Sequence, residues 1–255
     1  MVKLSAVVIT LNEEKKIERC LSSLVPVADE IIVVDSYSTD NTQAICEKYN
    51  ARFISQKFLG YTEQKNFAID QATYDHIISL DGDEALSEEL QQSLLELKSN
   101  WKYEGYYINR FNNFCGQWIK HSDWYPDRKL RAFRKGSGRW KGVNIHEKFQ
   151  LDNPKSYGKL KGDILHWNYL TYSEFNKQTE KFSTISAQSY YQRGKKATVF
   201  NVVFNPTWAF FKSYVLRLGF LDGFNGFVIG VQTAHITFLK YIKLRELTKA
   251  NKRNA

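Results

Sequence analysis

Four short apolar runs, each followed by a polar loop and then a helical pattern, constrain the fold of this chain more than any other feature. Leu4 to Thr10 is a β-branched run of the kind that forms a buried strand, and Ile31 to Val34 forms a second strand ending at Asp35. Arg52 to Ile54 reads as a short third strand and Ile77 to Leu80 as a fourth. Between the first two, Ile17, Cys20, Leu21 and Leu24 repeat at helical spacing, with Asn12 placed as a cap and Glu13 and Glu14 in the first turn. Ser36 to Asp40 is rich in helix-capping residues and predicts a helix to about Tyr49, and Thr62 to Ala72 predicts a third. A βαβαβαβ order of this kind makes a parallel sheet with right-handed crossovers.

Ligands of open α/β sheets bind beyond the carboxyl ends of the strands. Thr10-Leu11-Asn12-Glu13, Asp35 and the turn Asp81-Gly82-Asp83 all fall at such ends, so they are predicted to face one crevice. Gly82 lets the chain turn so that Asp81 and Asp83 approach one hard divalent cation or the ribose of a nucleotide. The same residues also suit a plain acidic turn into a helix capped by Ser87, with Glu88 and Glu89 in its first turn. No Gly-x-Gly-x-x-Gly follows the first strand and no Gly-x-x-x-x-Gly-Lys-Ser/Thr occurs, so a nucleotide here would be held by side chains and metal.

Composition narrows the class further. The 255 residues are 43% hydrophobic, ample for a core. Three cysteines, far apart and without Cys-x-x-Cys spacing, indicate neither a disulfide framework nor a zinc site, and a reducing cytoplasm suits them. Met1 to Thr10 runs straight into a strand pattern, and no N-terminal export is expected. The net charge is +9, and from Lys240 onward six basic residues stand against Glu246 alone, so +5 of the excess lies there. Without a zinc-finger or RNP-like pattern, a phosphorylated ligand or an anionic membrane surface suits this charge better than nucleic acid.

The second half changes character. Gly105 to Phe111 and Lys129 to Arg134 alternate as strands do, with Gly136-Ser137-Gly138 as a turn. Arg128, Arg131 and Arg134 form a basic group suited to an anionic acceptor, or else decorate a strand's exposed face. Trp118, Trp124 and Trp140 suit either sugar stacking or core packing. A long helix is predicted over Tyr172 to Arg193, with Phe175, Phe182, Ile185 and Ser189 near one face and Gly194 as its stop. Ala197 to Phe211 is uncharged but broken by Pro206, and Gly223 to Leu239 is uncharged and glycine-rich. Neither reaches the roughly 20 apolar residues of a membrane span. Amphipathic elements on an anionic membrane, joined by the basic tail, are one reading, and a helical hairpin packed on protein is the other.

Four stretches in order, Val7 to Glu14, Ile32 to Thr42, Gln64 to Ala68 and Leu80 to Glu84, closely resemble the successive signatures of family 2 glycosyltransferases with the GT-A fold. Trp124 to Arg134 and Val143 to Glu147 resemble the subgroup that includes lipopolysaccharide-core glucosyltransferases. The resemblance implies a GT-A domain over residues 1–170, with a nucleotide-sugar half (1–100) and an acceptor half (101–170), and a helical extension over 171–255. It implies an inverting, divalent-metal-dependent (Mg²⁺ or Mn²⁺) transfer from a UDP-sugar, UDP-glucose first, to a cell-envelope glycan. Transfer to a polyisoprenyl phosphate is the alternative within enzymes, and an inactive sugar-nucleotide-binding or scaffold protein the alternative outside them.

By the same resemblance Thr10, Leu11, Asn12 and Glu13 line the nucleotide cradle and Asp35 accepts a hydrogen bond from the base, as a carboxylate can from uracil N–H. Lys65 approaches the nucleotide or its phosphates, Asp81 and Gly82 the ribose or metal, and Asp83 the metal directly. Many relatives have Arg where this chain has Lys65. His166 resembles a C-terminal histidine ligand of that metal, though a lone buried histidine reads as well. Trp124, Arg128, Arg131 and His146 fall to the acceptor. Inverting transfer needs a carboxylate to take the acceptor's proton, and Glu147 occupies the matching position, where its residue type alone suits a surface salt bridge. The expected place is the cytoplasm, peripheral on the inner face of the cytoplasmic membrane.

Overall fold

A computed structural model of the chain describes residues 1–142 and 147–253. His146, assigned above to the acceptor, lies outside the described residues. The chain divides into two compact units, Met1–Phe111 with Pro126–Trp167, and Asn112–Tyr125 with Asn168–Ala255. Residues 112–125, which the sequence places in the acceptor half, therefore group with the C-terminal helices.

In the first unit β1 (Leu4–Thr10), β2 (Glu30–Asp35), β3 (Arg52–Ser55) and β4 (His76–Asp81) form the predicted parallel half-sheet, with α1 (Ile17–Leu24), α2 (Thr42–Lys48) and α3 (Tyr61–Asp70) between them. Register aligns Thr10 with Asp35 and Ile9 with Asp81, which puts the three polar strand ends on one edge. β1 is buried along its whole length because both faces are covered, and its unbroken apolar run is the sequence form of that burial. β5 (Glu84–Leu86) and α4 (Glu88–Ser99) follow, and Ser87 Oγ caps α4 by accepting the Leu90 N–H.

The rest of the sheet is antiparallel. β8 (Asp127–Arg134) pairs with β4, and β6 (Gly105–Phe114) with β8, in the order β3-β2-β1-β4-β8-β6-β11-β5, where β11 is Tyr157–Tyr169. A separate ribbon joins β9 (Gly138–Lys141) to β10 (Lys148–Leu151). Two apolar clusters flank the sheet, one around Ile17, Leu21, Leu90 and Leu94, the other around Ile32, Ile77, Phe133 and Phe149.

The second unit holds the two-residue β7 (Gln117–Trp118), α5 (Tyr172–Gln192), α6 (Val199–Phe210) and α7 (Gly223–Arg253). α5 stops where expected, at Gly194 with φ +70°, but its buried face is Thr179, Ser183 and Ala187, with Phe175 and Phe182 only half-buried. Phe114, Trp124, Tyr169 and Phe175 form its aromatic cluster, with ring centres 4.7 to 6.4 Å apart. No single described helix is long and apolar enough to cross a membrane.

Candidate active site

The β1 and β2 loops are knitted to each other. Asn12 is not a helix cap: its backbone is left-handed (φ 54°), its N–H donates to Ser38 Oγ at 2.7 Å, and its Oδ1 accepts the Thr39 N–H at 2.8 Å. α1 begins only at Ile17, with no side-chain cap. Glu13 N–H donates to Thr42 Oγ1 and Glu14 N–H to Asp40, so two stretches far apart in sequence form one wall. Asp35 is buried at the base of that wall and accepts from the Ser38 N–H at 2.7 Å and from the Ser38 hydroxyl. Leu11 is exposed and Thr10 buried. The Glu13 carboxyl is pushed up to about 7, first by burial and then by the charge of Asp83, against the opposing Lys16 ammonium.

Gly82 is a matter of close approach. Its N–H donates to Ile9 O, and a Cβ there would meet Thr10 Oγ1 at 2.8 Å and Ile17 Cδ1 at 3.3 Å. Gly82→Ala is therefore expected to cost about 1–3 kcal/mol in urea unfolding, the usual penalty of overpacking. An unchanged unfolding midpoint would contradict the crowding.

Asp81 sits between two cations. Lys65 Nζ lies 3.0 Å from its Oδ1, and Arg131 Nη2 lies 3.1 Å from its Oδ2. Burial disfavours its charge, but Lys65 and Arg131 together outweigh burial and hold the carboxyl well below the usual carboxylate range. Each oxygen of the carboxylate thus faces a cation of the protein itself. Arg131 is buried too, and also reaches Glu84 Oε1 at 2.8 Å. A strand turns alternate residues to opposite faces, so Arg128 and Arg134 are exposed while Arg131 points inward.

Glu84 is the residue that sequence reasoning missed. It is 0% exposed, it accepts the Asp81 N–H at 3.0 Å, and it joins Arg131 to Arg110, which in turn pairs with Asp127 at 2.8 Å. The signal was present in the facing of Arg110 and Asp127 across the β6–β8 register. Trp124 is half-buried and packs against the apolar cluster of the second unit, edge-on to Phe114 at 5.6 Å.

Asp83 and His166 come together, with Oδ2 and Nε2 3.3 Å apart. β11 pairs with β5 in a register that sets His166 opposite Glu84, and the Trp167 N–H donates to Asp83 O. Burial works against the Asp83 charge, but His166 holds its carboxyl below the usual value. Two donors about 3 Å apart suit adjacent positions on one cation with bonds near 2.1 Å. The pair thus fits two positions of a metal shell. Among the described residues no three His, Cys, Asp or Glu side chains gather as a cage.

Glu147 meets the same network from the other side. Its Oε1 lies 3.2 Å from Lys65 Nζ, while its Oε2 is buried with no hydrogen-bond partner among the described residues. Lys65, 3% exposed, therefore ties Glu147 to Asp81, and its ammonium lies 4.5 Å from the Trp140 ring centre. The site combines a polar wall of backbone and hydroxyl groups, an oxygen–nitrogen donor pair, and a carboxylate with one open oxygen.

Such a sheet, whose parallel half ends in acidic loops, has the GT-A type of fold. The chain belongs to glycosyl transferase family 2, whose model matches residues 5–156, and it is a glycosyltransferase. It is 30% identical over 268 residues to an uncharacterized glycosyltransferase of Rickettsia felis, covering 96% of this chain and 90% of that one. It is also 30% identical over 248 residues to the lipopolysaccharide core biosynthesis glycosyltransferase LpsC of Rhizobium meliloti, covering 94% and 91%. Among solved structures, S. aureus TarS 1-349 superposes with a TM-score of 0.50 at 15% identity, over 99% of this chain and 92% of that one. Glucosyl-3-phosphoglycerate synthase of Mycobacterium tuberculosis, in complex with Mn²⁺, UDP and glucosyl-3-phosphoglycerate, does so with a TM-score of 0.50 at 17% identity, over 69% and 75%. These two likenesses speak for the fold.

Proposed function

We propose that this enzyme moves a hexose from a UDP-sugar, UDP-glucose first, to a hydroxyl of a cell-envelope glycan of the lipopolysaccharide-core class, with inversion. The observation that carries this reading is Glu147: a carboxylate with one oxygen held by Lys65 and the other without a hydrogen-bond partner among the described residues, linked through Lys65 to Asp81 at the end of β4. The likeness to LpsC, whose name states lipopolysaccharide core biosynthesis, supports the acceptor class.

In this reading Glu147 Oε2 receives the proton of the acceptor hydroxyl as the hydroxyl oxygen attacks the anomeric carbon and the nucleoside diphosphate leaves with the pair of the broken C–O bond. Lys65 fixes the Glu147 rotamer. Asp35 and the Asn12–Glu13 wall hold the base and ribose, the base N–H displacing Ser38 from one carboxylate oxygen of Asp35. Asp83 and His166 would hold a divalent cation, whose positive charge would stabilise the diphosphate as it leaves. Exposed Arg128 stays with the acceptor, as does His146.

The test is a panel of UDP-, GDP- and dTDP-sugars assayed for release of nucleoside diphosphate. UDP-glucose is expected to turn over, EDTA to abolish turnover, and Mg²⁺ or Mn²⁺ to restore it. Asp83→Asn is expected to weaken donor binding and rate together. Full activity of that variant in EDTA would overturn the metal assignment, and turnover of GDP- or dTDP-sugars alone would overturn the donor.

A further inference from the structure

The second unit carries a feature that glycosyl transfer does not use. α6 is twelve residues long and has no buried residue, although Val199, Phe200, Val202, Val203, Phe204, Trp208 and Phe210 are all large and apolar. Phe200 and Phe204 stack at 5.0 Å, and Trp208 and Phe211 continue at 5.8 Å, so an aromatic ridge runs along the helix. One side of α6 packs on α7, where Phe210 meets Phe227 at 6.2 Å, and the exposed Val199, Phe200, Val203, Phe204 and Trp208 need a further cover.

Beyond α6 the chain passes through a π-helical segment (Phe211–Leu216) and a 3-10 turn (Gly219–Asp222) into α7, bending by 71°. This elbow inverts the pattern of a water-soluble turn. Glycine and hydrogen-bonded polar groups lie inside: a Cβ on Gly226 would fall 1.8 Å from Gly219 O, and the buried Asp222 accepts the backbone N–H groups of Lys120 and His121. Leu216, Leu218, Leu221 and Phe224 face outward, Phe224 at 70% exposure.

The charge pattern says what covers this face. From Lys195 to Leu239 the only acid is the buried Asp222, while Lys196 and Lys212 are exposed, Lys195 lies over the Tyr190 ring, and Arg217 pairs with Asp123. The basic tail, by contrast, is partly turned inward. Lys243 Nζ is held by Glu180 at 2.6 Å and by Ser183 and Thr184 at 2.8 Å, and Lys240 lies over the rings of Tyr190 and Tyr241.

We propose that the α6 ridge and the elbow after it form an interfacial anchor, lying in the surface of an anionic bilayer with the aromatic side chains at the acyl boundary. No single described helix is long and apolar enough to span, and the 71° bend between Val199–Leu216 and Gly219–Ala250 breaks the one apolar pair that would, so in this reading the ridge lies on the membrane. Exposed lysines beside an apolar ridge match anionic headgroups, and the elbow's inward glycines leave its bulky side chains to the lipid.

The test uses the full chain in flotation with vesicles of mixed phosphatidylglycerol and phosphatidylcholine. The wild type is expected to float, and to stay bound at raised salt better than a purely ionic contact would. F200S/F204S is expected to lower the bound fraction by about tenfold or more, since both rings lose their lipid contact. Brominated lipid is expected to quench tryptophan fluorescence in the wild type and less so in Trp208→Phe, a readout that stands even if the double variant folds poorly. No flotation, equal flotation of a folded double variant, or equal quenching in Trp208→Phe would overturn the proposal. A lipid-free dimer that F200S/F204S dissociates would also overturn it, by showing that a second copy covers the face.

Discussion

Glu147→Gln is expected to bind UDP-glucose about as well as the wild type while kcat falls on the order of 10²-fold or more. The amide keeps the shape of the side chain and removes its basicity, so the acceptor hydroxyl loses the group that takes its proton. The Lys65 ammonium, 3.2 Å from Glu147 Oε1, loses its charged partner but keeps Asp81. The donor pocket is therefore expected to survive. Titration of donor binding beside steady-state kinetics separates the two effects. An unchanged kcat would move the base elsewhere, and a lost donor affinity with an unchanged kcat would make Glu147 a binding residue.

The second large effect is on stability. Glu84→Gln removes the fully buried charge that joins Arg131 to Arg110. Removing one partner of a buried ion pair costs about 3–5 kcal/mol, and the low end applies here because Arg131 keeps Asp81 and Arg110 keeps Asp127. In a chain of this size that lowers Tm by on the order of 10 °C. The network's pH dependence follows from Asp81. Burial opposes its ionisation, but Lys65 and Arg131 hold its carboxyl below the usual value, so its contribution is present above about pH 4 and is lost as pH falls toward the folded value. A thermal melt of Glu84→Gln at neutral pH within about 2 °C of wild type would show that the arginines find other partners.

The parallel half-sheet was legible because its strands are buried on both faces, and β-branched runs such as Val7-Val8-Ile9 have few other uses in a chain with helical patterns between them. The crevice followed from topology alone, since Thr10, Asp35 and Asp81 close adjacent parallel strands. What stayed hidden depended on partners far along the chain. Asn12 has the composition of a helix cap, and only the return of the Ser36–Asp40 loop makes it a cross-loop clasp. Arg128, Arg131 and Arg134 look alike until strand period separates them, and Arg131 needs Glu84 and Asp81 before its burial makes sense. The role of Glu84 was masked by the two aspartates before it, whose spacing draws attention to metal. Trp124 was ambiguous because a tryptophan's contacts depend on which unit its segment joins, and residues 112–125 join the C-terminal helices.

The account rests on one displacement at the anomeric carbon with Glu147 as base and no enzyme nucleophile. The measurement that reaches it most directly is the proton NMR spectrum of the product formed from α-linked UDP-glucose. A single displacement predicts a β-linked product, with the large H1–H2 coupling of trans-diaxial protons. An α-linked product would mean retention, and would contradict both the mechanism and the role given to Glu147.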